Sequence, residues 1–196
     1  MTDSTKNIKD IAEEAGGITC SASRALYFVR EFLRGPMCGK CFPCSFGAYE
    51  AMLRLKDITS GTGGREDIDA IRGIAEKMLV MSMCKKGKDT AEYMVECLGA
   101  PDFGNHVTTG ICEQKVCKAF IEYRNVPENC IRCGACQDAC KFDAIHGEKQ
   151  VSYKCCYLPF EIRQRRCVKC GECIKVCPSK AIVVVNIEHE PQAVKA

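Results

Sequence analysis

No stretch of this 196-residue chain approaches the roughly 20 consecutive apolar residues of a membrane-spanning helix. The nearest run, Ala181-Ile182-Val183-Val184-Val185, has the length of a strand. The start, Met1-Thr2-Asp3-Ser4-Thr5-Lys6, leads into charged residues where a secretory signal would place its apolar core, so no export signal is expected. No Gly-rich nucleotide loop occurs before Cys38. Histidine is scarce: of three, His146 and His189 stand isolated and read as exposed, and no nucleophile with a paired base emerges. No acid–base or covalent catalytic set is therefore expected.

Cysteine is abundant instead, 18 of 196 residues. In an exported protein that density would signal a disulfide scaffold. Without a leader, a reducing cytoplasmic setting with thiolates committed to metal is the better expectation. Eight of the cysteines fall into two copies of one spacing, Cys130-x2-Cys133-x2-Cys136-x3-Cys140 and Cys167-x2-Cys170-x2-Cys173-x3-Cys177. This is the bacterial ferredoxin pattern for two cubane 4Fe-4S clusters, in which the last cysteine of each run ligates the other cluster. The expected quartets are therefore Cys130, Cys133, Cys136, Cys177 and Cys167, Cys170, Cys173, Cys140. The copies repeat at an offset of 37 residues, with Gly134 matching Gly171 and Ala144-Ile145 matching Ala181-Ile182. Zinc ribbons and fingers use paired, separated ligands rather than four cysteines in eleven residues.

A third motif is Cys38-Gly39-Lys40-Cys41-Phe42-Pro43-Cys44, three cysteines at the same spacing. Three ligands are one short of a cubane, and Cys84, after 39 intervening residues, is the candidate for the fourth. The formal charge of +3 omits metals. An oxidised cubane with four thiolates carries about −2, so three of them make the loaded protein acidic and remove any case for nucleic acid. The basic group Arg163, Arg165, Arg166 and Lys169 reads as a solvated face, with docking of an acidic partner as the alternative.

Residues 1–100 read as a small antiparallel helical bundle. Leu26, Val29 and Leu33 share a stripe over 22–33, with Phe28 and Phe32 beside it; Tyr49, Met52 and Leu53 share one over 46–56. Ile68, Ile71, Ile74, Ala75 and Met78 mark a helix over 67–80, and a fourth is expected to start at the cap Asp89-Thr90. Residues 101–126 form a connector. Residues 127–186 form a compact α+β domain with pseudo-twofold symmetry, in which clusters replace a hydrophobic core, so that it should not fold without iron. Residues 187–196 read as a flexible tail.

The segment Gly35-Pro36-Met37-Cys38-Gly39-Lys40-Cys41-Phe42-Pro43-Cys44, then Gly47, then Cys84, resembles the C-terminal helical domain of the NADH-binding flavoprotein subunit of respiratory complex I, over about residues 18–105. That domain followed by a two-cluster ferredoxin domain is similar to the flavoprotein subunits of soluble, electron-bifurcating, NAD-dependent FeFe-hydrogenases. In the connector, His106, Cys112 and Cys117 resemble a His-x5-Cys-x4-Cys element of those subunits where zinc sits at a hinge, and Cys20 resembles its fourth ligand. The resemblance thus implies a Cys3His zinc site from Cys20, His106, Cys112 and Cys117, the donor set of structural zinc.

It also implies a role as a non-catalytic electron-transfer subunit of a flavin-based NAD(P)/ferredoxin oxidoreductase. The expected partners are a flavin-bearing, NAD(P)-binding subunit and external ferredoxin or another catalytic subunit. The alternative is a freestanding polyferredoxin. Departures from the family pattern include Pro36-Met37 for Glu-Ser before the first cysteine, Ser45 for Arg, and Lys141 where proline often follows the last cysteine of a run. They bear on cluster environment rather than on ligand identity. Of the remaining cysteines, Cys97 reads as core and Cys155-Cys156 as structural.

Overall fold

The computed structural model describes residues 6–151 and 158–187, and mixes helices with small sheets in two compact units, one up to Phe120 and one over Ile121–Ile187. Cys155-Cys156 and most of the expected tail lie outside the described residues.

The first unit is helical: α1 (Ile8–Gly16), α2 (Ser21–Arg34), α3 (Phe42–Ser60), α4 (Arg65–Met81), α5 (Lys85–Leu98) and a single turn, α6 (Asn105–Thr108). Local chemistry sets the starts. The Asp10 carboxylate accepts the Asn7 N–H at 3.1 Å, and Asp67 accepts the Gly64 N–H at 2.8 Å, satisfying orphan donors at α1 and α4. Pro43 occupies the first turn of α3, where its missing N–H is harmless. Small residues carry much of the buried surface: Ala22 and Ala25 of α2, Ala48 and Ala51 of α3, Ala75 of α4 and Ala91 of α5. They let the helices approach closely around Phe28, Phe32, Leu55, Ile58 and Met94. Phe28 stacks on Tyr93 with ring centroids 4.0 Å apart, locking α2 to α5, and burial pushes the Tyr93 hydroxyl up to about 12.

Two expectations shift. On α3, which starts at Phe42 and so four residues earlier than expected, the core side is Ala48, Ala51, Leu55 and Ile58, while Tyr49 and Leu53 are exposed, because small residues let the helix pack closely on its neighbours. Helix α5 starts at Lys85 and not at Asp89. Thr90 is buried mid-helix and its hydroxyl donates to the Lys86 carbonyl.

The second unit is two copies of one half-motif. Strand β1 (Ile121–Asn125) precedes the first cysteine run, which carries helix α7 (Ala135–Asp138) and leads to β2 (Ile145–His146). Strand β3 (Glu161–Ile162), α8 (Glu172–Lys175) and β4 (Ile182–Asn186) repeat the order. Pairing is antiparallel and exchanged between copies: Asn125 faces Ile182 in β1–β4, and the equivalent Ile162 faces Ile145 in β3–β2. The backbone obeys the same 37-residue offset, with φ of 56° at both Arg132 and Lys169 and of 80° and 82° at Gly134 and Gly171. Those left-handed glycines start α7 and α8, a conformation that a Cβ would oppose. The core is small: Ile121, Tyr123, Ile145, Phe160, Ile162 and Ile182, with Cys136 and Cys173.

Candidate metal centres

In the second unit the cysteines gather across the repeats. One hollow is lined by Cys140 together with Cys167, Cys170 and Cys173. The other is lined by Cys130, Cys133 and Cys136 together with Cys177. These are the two quartets expected from the spacing, each taking three sulfurs from one run and one from the other. Exposure follows the repeat as well: Cys133 and Cys170 are exposed, Cys136 and Cys173 buried, and the remaining four half-buried. At matched positions the Ala144 N–H points to Cys140 Sγ at 3.4 Å and the Ala181 N–H to Cys177 Sγ at 3.2 Å. Burial raises the Cys177 thiol, but donors from Ala181, Ser179 and Ile182 outweigh it and hold the thiol below its ordinary value. Burial, reinforced by the neighbouring Cys167 and Cys170, pushes Cys173 up to about 11. Walls of Ile, Phe and Ala around sulfurs that receive N–H donors fit an anionic cluster that needs both dry surroundings and hydrogen bonds.

In the first unit, Cys41 is the cap residue of α3 and Cys84 that of α5, so two helix N-termini start at the same cysteine set. Their unpaired N–H groups and partial positive charge suit an anionic cluster. Burial first, and then the nearby sulfurs of Cys84, Cys41 and Cys38, push the Cys44 thiol up to about 11. A Cβ added at Gly87 would lie 3.1 Å from Cys44 Sγ, so a side chain there would enter the space beside the sulfurs. Cys38 is exposed, and close by lies an apolar groove lined by Phe42, Phe46, Ile74 and Met81, with Phe42 and Phe46 stacked at 5.3 Å.

The third constellation is Cys20, His106, Cys112 and Cys117, all buried, with ligand atoms within 4.8 Å of one another. Cys20 caps α2, His106 lies on α6, and the other two follow it in the chain. Cys20 Sγ is 3.4 Å from His106 Nε2 and 3.5 Å from Cys117 Sγ; His106 Nε2 is 3.3 Å from Cys117 Sγ. A zinc tetrahedron with bonds of about 2.3 Å to sulfur and 2.0–2.1 Å to nitrogen has edges of about 3.5–3.8 Å, close to this spacing. His106 Nδ1 faces the Phe103 carbonyl at 3.3 Å and the Phe120 ring packs edge-on at 5.1 Å, which orients Nε2 inward. Burial lowers the His106 pKa, but hydrogen bonds with Cys112 and Cys20 outweigh it and push it up to about 10.

The sequence reading did not single out Ser82, Gly87, Ser23 or the Phe103 carbonyl. Ser23 Oγ lies 3.1 Å from Cys117 Sγ. None carries a local signal, since each acts through tertiary approach. Cys97, expected as core, is buried, and burial pushes its thiol up to about 12. Among the described residues no helix is long and apolar enough to cross a membrane.

Comparison with known families agrees with this division. Residues 24–100 match the NADH-ubiquinone oxidoreductase-F iron-sulfur binding region and residues 129–181 the 4Fe-4S dicluster domain. The chain is 30% identical over 133 residues to the NADP-reducing hydrogenase subunit HndC of Solidesulfovibrio fructosivorans, covering 67% of this chain and 27% of that protein. It is 31% identical over 96 residues to the NADH-quinone oxidoreductase F-subunit of Streptomyces coelicolor, covering 48% of this chain and 21% of that protein. The corresponding Mycobacterium tuberculosis protein is 29% identical over 96 residues, with 48% and 22% covered. The chain thus spans about a quarter of the length of the curated relatives it matches.

Proposed function

Starting from a chain that carries a complex I F-subunit-like iron–sulfur region followed by a 4Fe-4S dicluster domain, we propose that it is an iron–sulfur electron-transfer subunit of a flavin-based oxidoreductase complex. In this reading Cys38, Cys41, Cys44 and Cys84 hold one cluster, and the two crossed quartets, Cys130/Cys133/Cys136/Cys177 and Cys167/Cys170/Cys173/Cys140, hold two more. Cys20, His106, Cys112 and Cys117 hold a structural zinc that pins the 101–126 segment to the start of α2. The clusters supply one-electron storage when bound, at potentials set by their surroundings. The chain's residues supply position, dryness and hydrogen bonds.

The observation that carries the proposal is the sorting of eight cysteines into two hollows, each completed by the last cysteine of the opposite run. The relatives' names, an NADP-reducing hydrogenase subunit and an NADH-quinone oxidoreductase subunit, support a nicotinamide-linked complex. The reaction class that follows is single-electron relay between a flavin-bearing partner and ferredoxin or another catalytic subunit, with bifurcation as the fuller form. The exposed Phe42 and Phe46 beside the first set support docking of that partner at this end.

Anaerobic purification from the native host tests this reading. About twelve irons and one zinc per chain, with flavin- and nicotinamide-binding chains co-eluting, are expected. A chain that elutes alone with its iron is instead a freestanding carrier, and one with zinc and no iron removes the electron-transfer role.

A further inference from the structure

Ser82 links α4 to Cys84 and is 3% exposed. Its backbone N–H ends α4 by donating to the Met78 carbonyl at 3.0 Å. Its side-chain oxygen is fully buried, yet among the described residues it has no hydrogen-bond partner, sulfur included. A hydroxyl in that position normally has a partner, so its orientation calls for a reason. The reason lies across the first turn of α5. A Cβ built on Gly87 would meet Ser82 Oγ at 2.8 Å, Ser82 Cβ at 2.9 Å and Cys44 Sγ at 3.1 Å. Hydroxyl and sulfur therefore border one small space, kept open by the absence of a side chain on Gly87. A neutral thiol is a weak acceptor, whereas a thiolate is a strong one. The hydroxyl thus faces a sulfur that becomes a good acceptor only once it is a metal ligand.

We infer that Ser82 is a positioning residue for the first cluster: its hydroxyl donates to the Cys44 sulfur and draws charge off it, which favours the reduced cluster. The inference rests on the reading that Cys38, Cys41, Cys44 and Cys84 hold that cluster. Hydrogen bonds to ligand sulfur are among the determinants of cluster potential. The α5 N-terminus and the Lys85 and Lys86 side chains would act in the same direction, but Ser82 is the buried side-chain donor beside this sulfur.

The test compares the full wild-type chain with Ser82→Ala and Ser82→Thr, purified anaerobically, by redox titration followed with EPR. The two dicluster signals serve as internal references. In Ser82→Ala the ratio of reduced to oxidised first cluster at a fixed potential should fall about tenfold, equivalent to about 59 mV for a one-electron couple. In Ser82→Thr, which restores the hydroxyl, the ratio should return to the wild-type value, and the references should move in neither. An unchanged midpoint in Ser82→Ala overturns the inference. If Ser82→Ala loses the cluster altogether, Ser82→Thr decides: a retained cluster at the wild-type midpoint supports the hydroxyl's role, and a lost cluster or lowered midpoint overturns it. A wild type with iron for two clusters and no third signal overturns the cluster assignment as well, whereas three signals with an indifferent Ser82→Ala overturn only the role of Ser82.

Discussion

Cys20 and His106 stand 86 positions apart in the chain, yet Cys20 Sγ and His106 Nε2 meet at 3.4 Å in a buried pocket. Closing so long a loop costs conformational entropy, and a thiol–imidazole contact alone offsets little of it. A bound metal ion would offset far more.

His106→Ala should therefore release the zinc while leaving iron in place, and should destabilise the first unit by more than about 3 kcal/mol. Elemental analysis of zinc and iron, with a melting curve of the same sample, checks it. Wild-type zinc content in the variant would count against the assigned ligand set.

Exchange of the last cysteines is tested by pairing variants. Cys177→Ser should disturb the same EPR signal as Cys130→Ser, and the double variant should look like either single one. Cys140→Ser should instead group with Cys167→Ser. Grouping of Cys177→Ser with Cys167→Ser would refute the crossed quartets.

Gly87 and Gly73 make a matched pair on two helices. A Cβ at Gly73 meets nothing within 4 Å, whereas one at Gly87 meets Ser82 and Cys44 at 2.8–3.1 Å. Gly73→Ala should stabilise the protein by about 0.5–1 kcal/mol through helix propensity. Gly87→Ala gains the same propensity but incurs overpacking of about 1–3 kcal/mol, so the net effect is a loss, accompanied by less iron. Thermal midpoints and iron-to-protein ratios separate the two effects.

Removing iron should undo the second unit before the first. Among the described residues its apolar core is six side chains, against a continuous core running through α1 to α5 and Phe120 in the first. After anaerobic chelation the helical circular dichroism should persist, while limited proteolysis cuts within 121–187 and spares residues up to 120. Equal loss of both units would show that the helical unit also depends on its cluster for folding.

What the sequence revealed depended on how local each signal was. Each cysteine run is complete within eleven residues, and the 37-residue offset carried over to the backbone at Arg132 and Lys169 and to the exchanged strand pairing. The grouping of Cys20 with His106, Cys112 and Cys117 was visible only through resemblance, because Cys20 is remote from its companions. Helix α5 begins four residues before the Asp89-Thr90 pair that looks like its cap, and Cys84 followed by two lysines and a glycine carries no such signature. Hydropathy points to the wrong side of α3, since Ala48 and Ala51 outweigh Tyr49 and Leu53 through fit. Ser82 had no signature at all, because its neighbour Cys44 comes from another helix.

Each hollow of the second unit borrows one sulfur from the far half of the sequence, and this has a consequence for biosynthesis. If the two hollows are the cluster sites proposed above, a nascent chain that has emerged only as far as Cys140 can finish neither, and Cys177 must emerge before the first can close. On the proposed ligand sets, metal delivery to this unit would wait for both halves, and a break or premature stop between them would leave neither site complete.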